Sequence, residues 1–338
     1  MGVSMKSLTF AILISLVILA ATVAAAIAFG GPRDPAPLLS INNPFKQVDN
    51  SDLPVPSRFM ARDGTPLAYR IYPATGDIAS GNVVLVHGSS ASSRSLHVMA
   101  KTFVATGYAV YALDIRGHGD SGIKGHIAYI GQLEDDLEDF VRTVKTTPPT
   151  TLVGFSSGGG FVLRFAGSAR QKLFSNYLLL APFLGQDAPT YRPDSGGWVS
   201  VGIPRIVAIS LLNVIDVRAF NELAVIKFAL NDEAKTLLTS QYSYALAQNF
   251  RPEKDYGATL RAVNQPLRVI VGQDDEVFRA DQFAAVFKAE GKEVPITLIP
   301  GMGHISLLLE PVAVQSTVAA VNSMNSPQVL ETHPNQKP

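Results

Sequence analysis

The stretch Thr151-Leu152-Val153-Gly154-Phe155-Ser156-Ser157-Gly158-Gly159-Gly160 decides how the rest of the chain is read. Apolar and β-branched residues lead up to Val153, glycines surround a serine, and an apolar helical pattern follows. That is a strand end, a sharp turn and a helix start. Gly154-Phe155-Ser156-Ser157-Gly158 fits the pattern G-x-S-x-G, in which a serine sits at the tip of a strained strand-to-helix turn. Glycines two before and two after it let the backbone double back without side-chain clashes. The N–H groups of the following helix point at the same spot, which suits a developing negative charge. A Gly/Ser-rich turn with no chemistry would show the same five residues, so the flanking sequence must carry the reading.

Upstream, Asn82-Val83-Val84-Leu85-Val86 runs into His87-Gly88-Ser89-Ser90. A continuous apolar run ending in glycine predicts a strand buried on both faces, as in a parallel sheet. Helical sequence over 95–106 separates it from a second such strand, 108–113, which ends in Asp114-Ile115-Arg116-Gly117-His118-Gly119-Asp120-Ser121. Residues 130–145 carry Leu133, Leu137, Phe140, Val141 and Val144 at helical spacing, with acids early, where the helix dipole favours them. Strands at 152–155 and 177–181 bracket the helix that leaves the Ser156 turn. Before all of these, Asp63-Gly64 between two apolar runs predicts a hairpin over 58–72. Alternating strands and helices predict a mostly parallel, doubly wound sheet with helices on both faces. Reactive groups in such sheets gather outside the carboxyl ends of the strands. His87, Asp114 and Ser156 all fall at such ends.

Residues 185–255 break the alternation and read as an insertion with helical patches, a cap over the sheet's active edge. The alternation then resumes. A helix is predicted over 256–263, a strand over 267–271 running into Gly272-Gln273-Asp274-Asp275-Glu276, and a helix over 280–290. A last strand over 294–299 leads to Pro300-Gly301-Met302-Gly303-His304. A closing helix starts near Pro311, and 324–338 reads as a flexible tail.

Composition narrows the class. The chain has 338 residues, 47% of them apolar, which supports a full-sized core. Lys and Arg number 28, Asp and Glu 28, so the net charge is zero and nothing marks a nucleic-acid surface. There are no cysteines, hence no disulfide and no thiolate metal site. The histidines lack metal-ligand spacing; His97, His126 and His333 have no constellation around them.

The N-terminus is an uncharged apolar run from Leu8 to Phe29, preceded by Lys6. Its length suits a membrane span, with residues 1–30 as anchor, Lys6 on the cytoplasmic side and the body extracytoplasmic. Ala26-Ile27-Ala28 resembles a cleavage site, so a signal sequence and a secreted or periplasmic body stay open as the alternative. Residues 31–56, rich in proline, read as a linker to a folded domain over 57–323.

Ser156, Asp275 and His304 each follow a core strand, in the chain order Ser…Asp…His that accompanies this type of turn. The chain resembles the α/β-hydrolase superfamily, and within it the lysophospholipase and monoacylglycerol-lipase-like branch, also grouped as serine aminopeptidase S33. Four stretches carry the resemblance: Val86-His87-Gly88-Ser89, residues 114–121, Gly154 to Gly158, and Gly272…Asp275 with Gly301-Met302-Gly303-His304. It covers about residues 57–323, apart from the detail of the cap.

The resemblance implies an α/β-hydrolase fold and a serine hydrolase that needs no cofactor. Ser156 would be the nucleophile and His304 its general base, with Asp275 orienting the imidazole. The backbone N–H groups of Ser157 and Ser89 would stabilise the oxyanion. Asp274 and Glu276 stay open as alternative acids. His87 and His118 would be structural, and Asp114 and Arg116 would brace the loop below the site. Ser157 departs from the branch, which commonly has Met or Leu after the nucleophile, and this loosens any inference about substrate.

The expected partner is a small-molecule or lipid ester with an acyl chain, reached from the membrane. An aminopeptidase is the first alternative. It needs a cap carboxylate for the substrate's amine, and Asp187, Asp194, Glu222, Asp232 and Glu233 are available. A binding protein that kept the fold without turnover is the second. A dehalogenase is disfavoured, because that chemistry uses an aspartate where Ser156 stands.

Overall fold

The computed structural model describes residues 5–38, 43–76, 80–192 and 197–326. Asp194, His333 and the tail beyond 326 lie outside the described residues. In chain order the main elements are α1 (Met5–Phe29), β1 (Ser57–Met60), β2 (Pro66–Tyr72), β3 (Gly81–Val86), α2 (His97–Ala105), β4 (Tyr108–Leu113), α3 (Gln132–Val144), β5 (Thr150–Phe155), α4 (Ser157–Ala166) and β6 (Asn176–Leu180). There follow β7 (Val199–Val201), α5 (Ile203–Val214), β8 (Ala224–Phe228), α6 (Asp232–Leu237), β9 (Gln241–Ser243), α7 (Tyr244–Asn249) and α8 (Tyr256–Ala262). The chain closes with β10 (Leu267–Gly272), α9 (Phe283–Ala289), β11 (Ile296–Ile299), α10 (Ser306–Leu309) and α11 (Pro311–Asn325).

Eight strands form one sheet in the order β1-β2-β4-β3-β5-β6-β10-β11. β3 and β5 are buried along their whole length, as is β6, which is why they read as unbroken apolar runs. All pairings from β4 across to β11 are parallel; β2 runs antiparallel to β4, and β1 antiparallel to β2. The β1–β2 hairpin turns at Gly64, whose φ of +80° needs a residue without a β-carbon. Helix α3 carries Glu134 and Asp135 in its first turn and buries Leu133, Leu137 and Phe140.

The segment between β6 and β10 forms the cap. It contains the helical patches the sequence predicts and, in addition, a three-stranded antiparallel sheet ordered β7-β8-β9. Those strands are three to five residues long and alternate only weakly. Their pairing partners are separated by intervening helices and loops, Val199 from Phe228 and Lys227 from Gln241, so no tight hairpin turn announces them.

Helix α1 contains Leu8–Phe29, 22 residues of mean hydropathy 2.8, long and apolar enough to cross a membrane. Its last turns, through half-buried Val23, Ala26 and Ile27, pack on the cap helix α5.

Within the stretch 31–56 read as a linker, residues 33–38 and 43–54 lie against cap and core as two parts of a strap. The Arg33 N–H donates to Ser200 Oγ at 3.0 Å, and Asp34 pairs with Lys227 at 2.7 Å. The Leu38 N–H donates to the Ala229 carbonyl at 2.9 Å. Leu38 and Phe45 pack against the core. Further on, Asp52 accepts from His97 at 3.0 Å and from Lys101 at 2.5 Å, and Lys101 first, then His97, pull its carboxyl down to about 2. His97, which showed no partner in the sequence, thus fastens the strap to α2, with the Tyr72 hydroxyl on its other ring nitrogen at 2.9 Å.

Candidate active site

Four strands deliver the site. The carboxyl end of β3 leads to His87-Gly88-Ser89, that of β5 to Ser156, that of β10 to Asp275 and that of β11 to His304. Ser156 sits at φ 55°, ψ −121°, an unusual backbone state for a residue with a β-carbon. The turn is held by close approach. A β-carbon on Gly158 would lie 2.2 Å from the His87 carbonyl oxygen, and one on Gly154 would lie 2.4 Å from the Gly158 carbonyl oxygen. Only glycine fits at either place.

Ser156 Oγ lies 3.0 Å from His304 Nε2, and His304 Nδ1 lies 2.8 Å from Asp275 Oδ2. Asp275 Oδ1 accepts the backbone N–H groups of Val277 and Phe278, each at 2.8 Å. All three side chains are buried. Burial pushes the Asp275 carboxyl up, but His304 and the two N–H donors outweigh it, and the group stays below the usual carboxylate range. As an ionised acceptor it accepts a hydrogen bond from the Nδ1–H, leaving Nε2 free to accept from Ser156. Phe155 and Phe278 flank the imidazole, with ring centroids 4.7 and 5.2 Å away, and limit its rotation.

Asp275, the expected acid, and its alternatives Asp274 and Glu276 separate here. Asp275 meets the ring. Glu276 instead accepts the His304 backbone N–H at 2.8 Å and so holds the loop that carries the ring. Asp274 lies between β10 and this loop, its N–H donating to the Met302 carbonyl at 3.0 Å.

Ser157 opens α4, so its N–H belongs to the first helical turn, where no intrahelical acceptor exists. Ser89 lines the same cavity as Ser156, and its hydroxyl accepts from Trp198 Nε1 at 3.1 Å. A β-carbon on neighbouring Gly88 would stand 3.3 Å from the Ser156 β-carbon, so glycine there keeps the flank of Ser156 open.

His87 and His118 stay out of the relay. His87 Nδ1 donates to the Gly88 carbonyl at 2.8 Å, and Nε2 accepts the Ile115 N–H at 3.2 Å. His118 Nε2 accepts from the Tyr242 hydroxyl at 2.6 Å, and Tyr242 in turn accepts the Ser90 N–H at 2.6 Å. Burial holds both rings below the ordinary histidine range, so both are neutral joints, and His118 ties the cap strand β9 to the core.

Asp114 braces two loops, accepting the Ser93 N–H at 2.7 Å and the Asp120 N–H at 3.0 Å. Arg116 grips buried Asp136 through two nitrogens, each at 2.7 Å, and also reaches Asp63. Removing one partner of such a pair strands a charge in the interior, at a cost of about 3–5 kcal/mol. Arg116→Met is therefore expected to lower the thermal midpoint sharply, and adding Asp136→Asn should recover part of the loss. A double variant no more stable than Arg116→Met alone would show that the pair does not carry the effect.

The relay opens on a cavity of about 440 Å³, within the size range of small-molecule sites. Core residues Phe155, Val277, Ile305 and Leu308 line it with cap residues Trp198, Leu237 and Leu238, so its walls are largely apolar. Phe45, Lys46, Val48 and Asn50 of the strap complete the wall. No motif or periodicity pointed to these four; the only signal was two isolated apolar residues in a polar stretch. Lys46 crosses to cap residue Glu233 at 3.1 Å.

A mostly parallel sheet, a serine on a strained turn and a His–Asp pair at neighbouring strand ends together define an α/β hydrolase. The chain belongs to the serine aminopeptidase S33 family, whose model matches residues 77–311. Over 118 residues it is 37% identical to the monoacylglycerol lipase of Mycolicibacterium smegmatis, which is 33% of this chain and 40% of that protein, so the aligned part spans less than half of that relative. Among solved structures, a soluble variant of the monoglyceride lipase of Saccharomyces cerevisiae, in complex with a substrate analogue, superposes with a TM-score of 0.61 at 18% identity, covering 83% of this chain and 96% of that one. A membrane phospholipase A described as a bacterial virulence factor gives 0.56 at 14% identity, covering 96% and 100%. At such identities these structures speak for the fold alone.

Proposed function

We propose that the chain is a serine carboxylic-ester hydrolase that works through an acyl-enzyme on Ser156 and takes a lipid ester of the monoacylglycerol or lysophospholipid kind. The observation that carries this reading is the run of contacts Ser156–His304–Asp275, at 3.0 and 2.8 Å, opening directly on a largely apolar cavity. His304 Nε2 takes the Ser156 proton as Oγ attacks the ester carbonyl, and the same nitrogen then protonates the departing alcohol. Asp275 stabilises the transient imidazolium. The N–H groups of Ser157 and Ser89 receive the oxyanion. Water, activated by His304, then frees the acid. The similarity to a monoacylglycerol lipase supports the substrate class.

The aminopeptidase alternative needs an unengaged carboxylate beside the scissile bond. Of the acids named for that role, Glu233 lines the cavity and is paired with Lys46 at 3.1 Å, which favours the ester. The apolar helix α1 supports a membrane anchor, and Lys6 before it favours the body on the extracytoplasmic side.

The test is the hydrolysis rate over nitrophenyl esters of increasing acyl length, with Ser156→Ala as the blank. Rates should peak at medium or long chains and carry over to monoacylglycerols. A peak at acetate would make this a small-ester hydrolase. Rates no higher than the blank at every length, with aminoacyl amides cleaved, would replace the ester reading by the peptidase one.

A further inference from the structure

The cap helix α5, Ile203–Val214, has an outward face that the rest of the molecule does not cover. Ile203, Val207, Leu211 and Val214 are 61, 52, 52 and 83% exposed, and their spacing puts them on one stripe of the helix. A patch of this kind on a water-facing surface marks an interaction site. The helix also turns its polar side chains away from that stripe. Arg205 donates to the carbonyls of Ile27, Ala28 and Ala224, at 2.8, 3.2 and 2.8 Å. Ser210 pairs with the Tyr244 hydroxyl at 2.9 Å, and Asn213 bonds the Ile209 carbonyl and Asn221. What remains outside is hydrocarbon.

The neighbour of this helix says what covers it. Leu8–Phe29, at about 1.5 Å per residue, reaches just across a hydrocarbon core of about 30 Å. Its last two turns, Val23 to Phe29, with Gly30 just after them, are the part that packs on α5. A helix held against those turns shares their depth. Arg205 fixes the match by capping carbonyls that α1 would otherwise leave without partners at its end. The contact is close: a β-carbon on Gly202 would lie 2.8 Å from the Gly30 carbonyl oxygen. Just beyond α5, the exposed pair Asp216–Arg218, 2.8 Å apart, marks the return to water.

We propose that α5 is a membrane-embedded part of the cap: it lies in the same leaflet as the end of α1, with Ile203, Val207, Leu211 and Val214 in the acyl chains. The occupant of the stripe is bilayer hydrocarbon, not a second protein. This rests on the anchor reading of α1, and the test separates the two.

The chain has no cysteine, so single cysteines can be placed at will. The full-length protein is put into phosphatidylcholine nanodiscs, which leave both faces open. Val207→Cys and Val214→Cys are compared with Val17→Cys in the middle of α1 and Gln315→Cys on the exposed side of α11. Each is treated with a membrane-impermeant maleimide, and separately with a fluorescent label in discs containing doxyl-phosphatidylcholine. Val207→Cys and Val214→Cys should resist the maleimide as Val17→Cys does, and their label should be quenched by the doxyl lipid, while Gln315→Cys reacts freely and is not quenched. If Val17→Cys is protected but Val207→Cys and Val214→Cys react like Gln315→Cys, the anchor stands and the embedded cap is wrong. Protection without quenching would mean a protein covers α5, which also overturns the proposal. Free reaction at Val17→Cys would remove the anchor itself, and the proposal with it.

Discussion

Replacing Ser156 by alanine should lower kcat by about a million-fold, with the thermal midpoint unchanged, because one hydroxyl is lost and no packing contact. Oγ is the atom that would form the acyl-enzyme, and no other hydroxyl is hydrogen-bonded to His304 Nε2 among the described residues. His304→Ala should cost about as much, since an unactivated hydroxyl is a poor nucleophile at neutral pH. The double variant should be no worse than either single one, because the two groups act as a unit. A double variant that multiplies the losses, or Ser156→Ala at wild-type rate, would mean the reaction runs elsewhere. A non-catalytic binding protein would show the same ligand affinity in all three variants and no turnover in the parent.

Asp275→Asn should lower kcat by about ten-thousand-fold while leaving KM for the ester near its original value. The amide presents an N–H₂ or a neutral oxygen where His304 Nδ1 needs an anionic acceptor. In the first case the ring is driven to the tautomer that cannot accept from Ser156. In the second the imidazolium loses its counter-charge. The backbone N–H groups of Val277 and Phe278, both on Asp275 Oδ1, bias the amide to keep its oxygen toward them, which turns its N–H₂ toward the ring. The wrong tautomer is then the dominant outcome. Asp274→Asn should be mild. Glu276→Gln should fall between, because it weakens the carboxylate bond to the His304 backbone without touching the ring. The order Asp275, Glu276, Asp274 is the result to check; a larger loss at Asp274 than at Asp275 would reassign the acid.

Much of this arrangement was legible because it rests on local chemistry. The strands β3, β5 and β6 announce themselves as apolar runs, since burial on both faces leaves no polar position. The glycines at 154 and 158 announce the turn, because backbone oxygens lie where a side chain would begin. The spacing from Gly272 favours Asp275 over Asp274 and Glu276 without excluding them, because which of three consecutive acids faces a ring depends on the turn after β10. The cap sheet and the strap were hidden for a different reason. Both are held by partners far along the chain, such as Leu38 with Ala229 and Asp52 with His97, and residues like these look ordinary until the partner is in place.

The strap sets a limit on how this enzyme can be cut down to a water-soluble form. The first strand begins at Ser57, which would seem a natural new start. A chain begun there keeps Ser156, Asp275 and His304 but lacks Phe45, Lys46, Val48 and Asn50. The cavity beside Ser156 loses one side, and Glu233 is left without its cation. A chain begun at Pro32 sheds the whole apolar helix and keeps the strap. The shorter form reports on bond cleavage alone. The longer one also reports on which molecules this protein chooses.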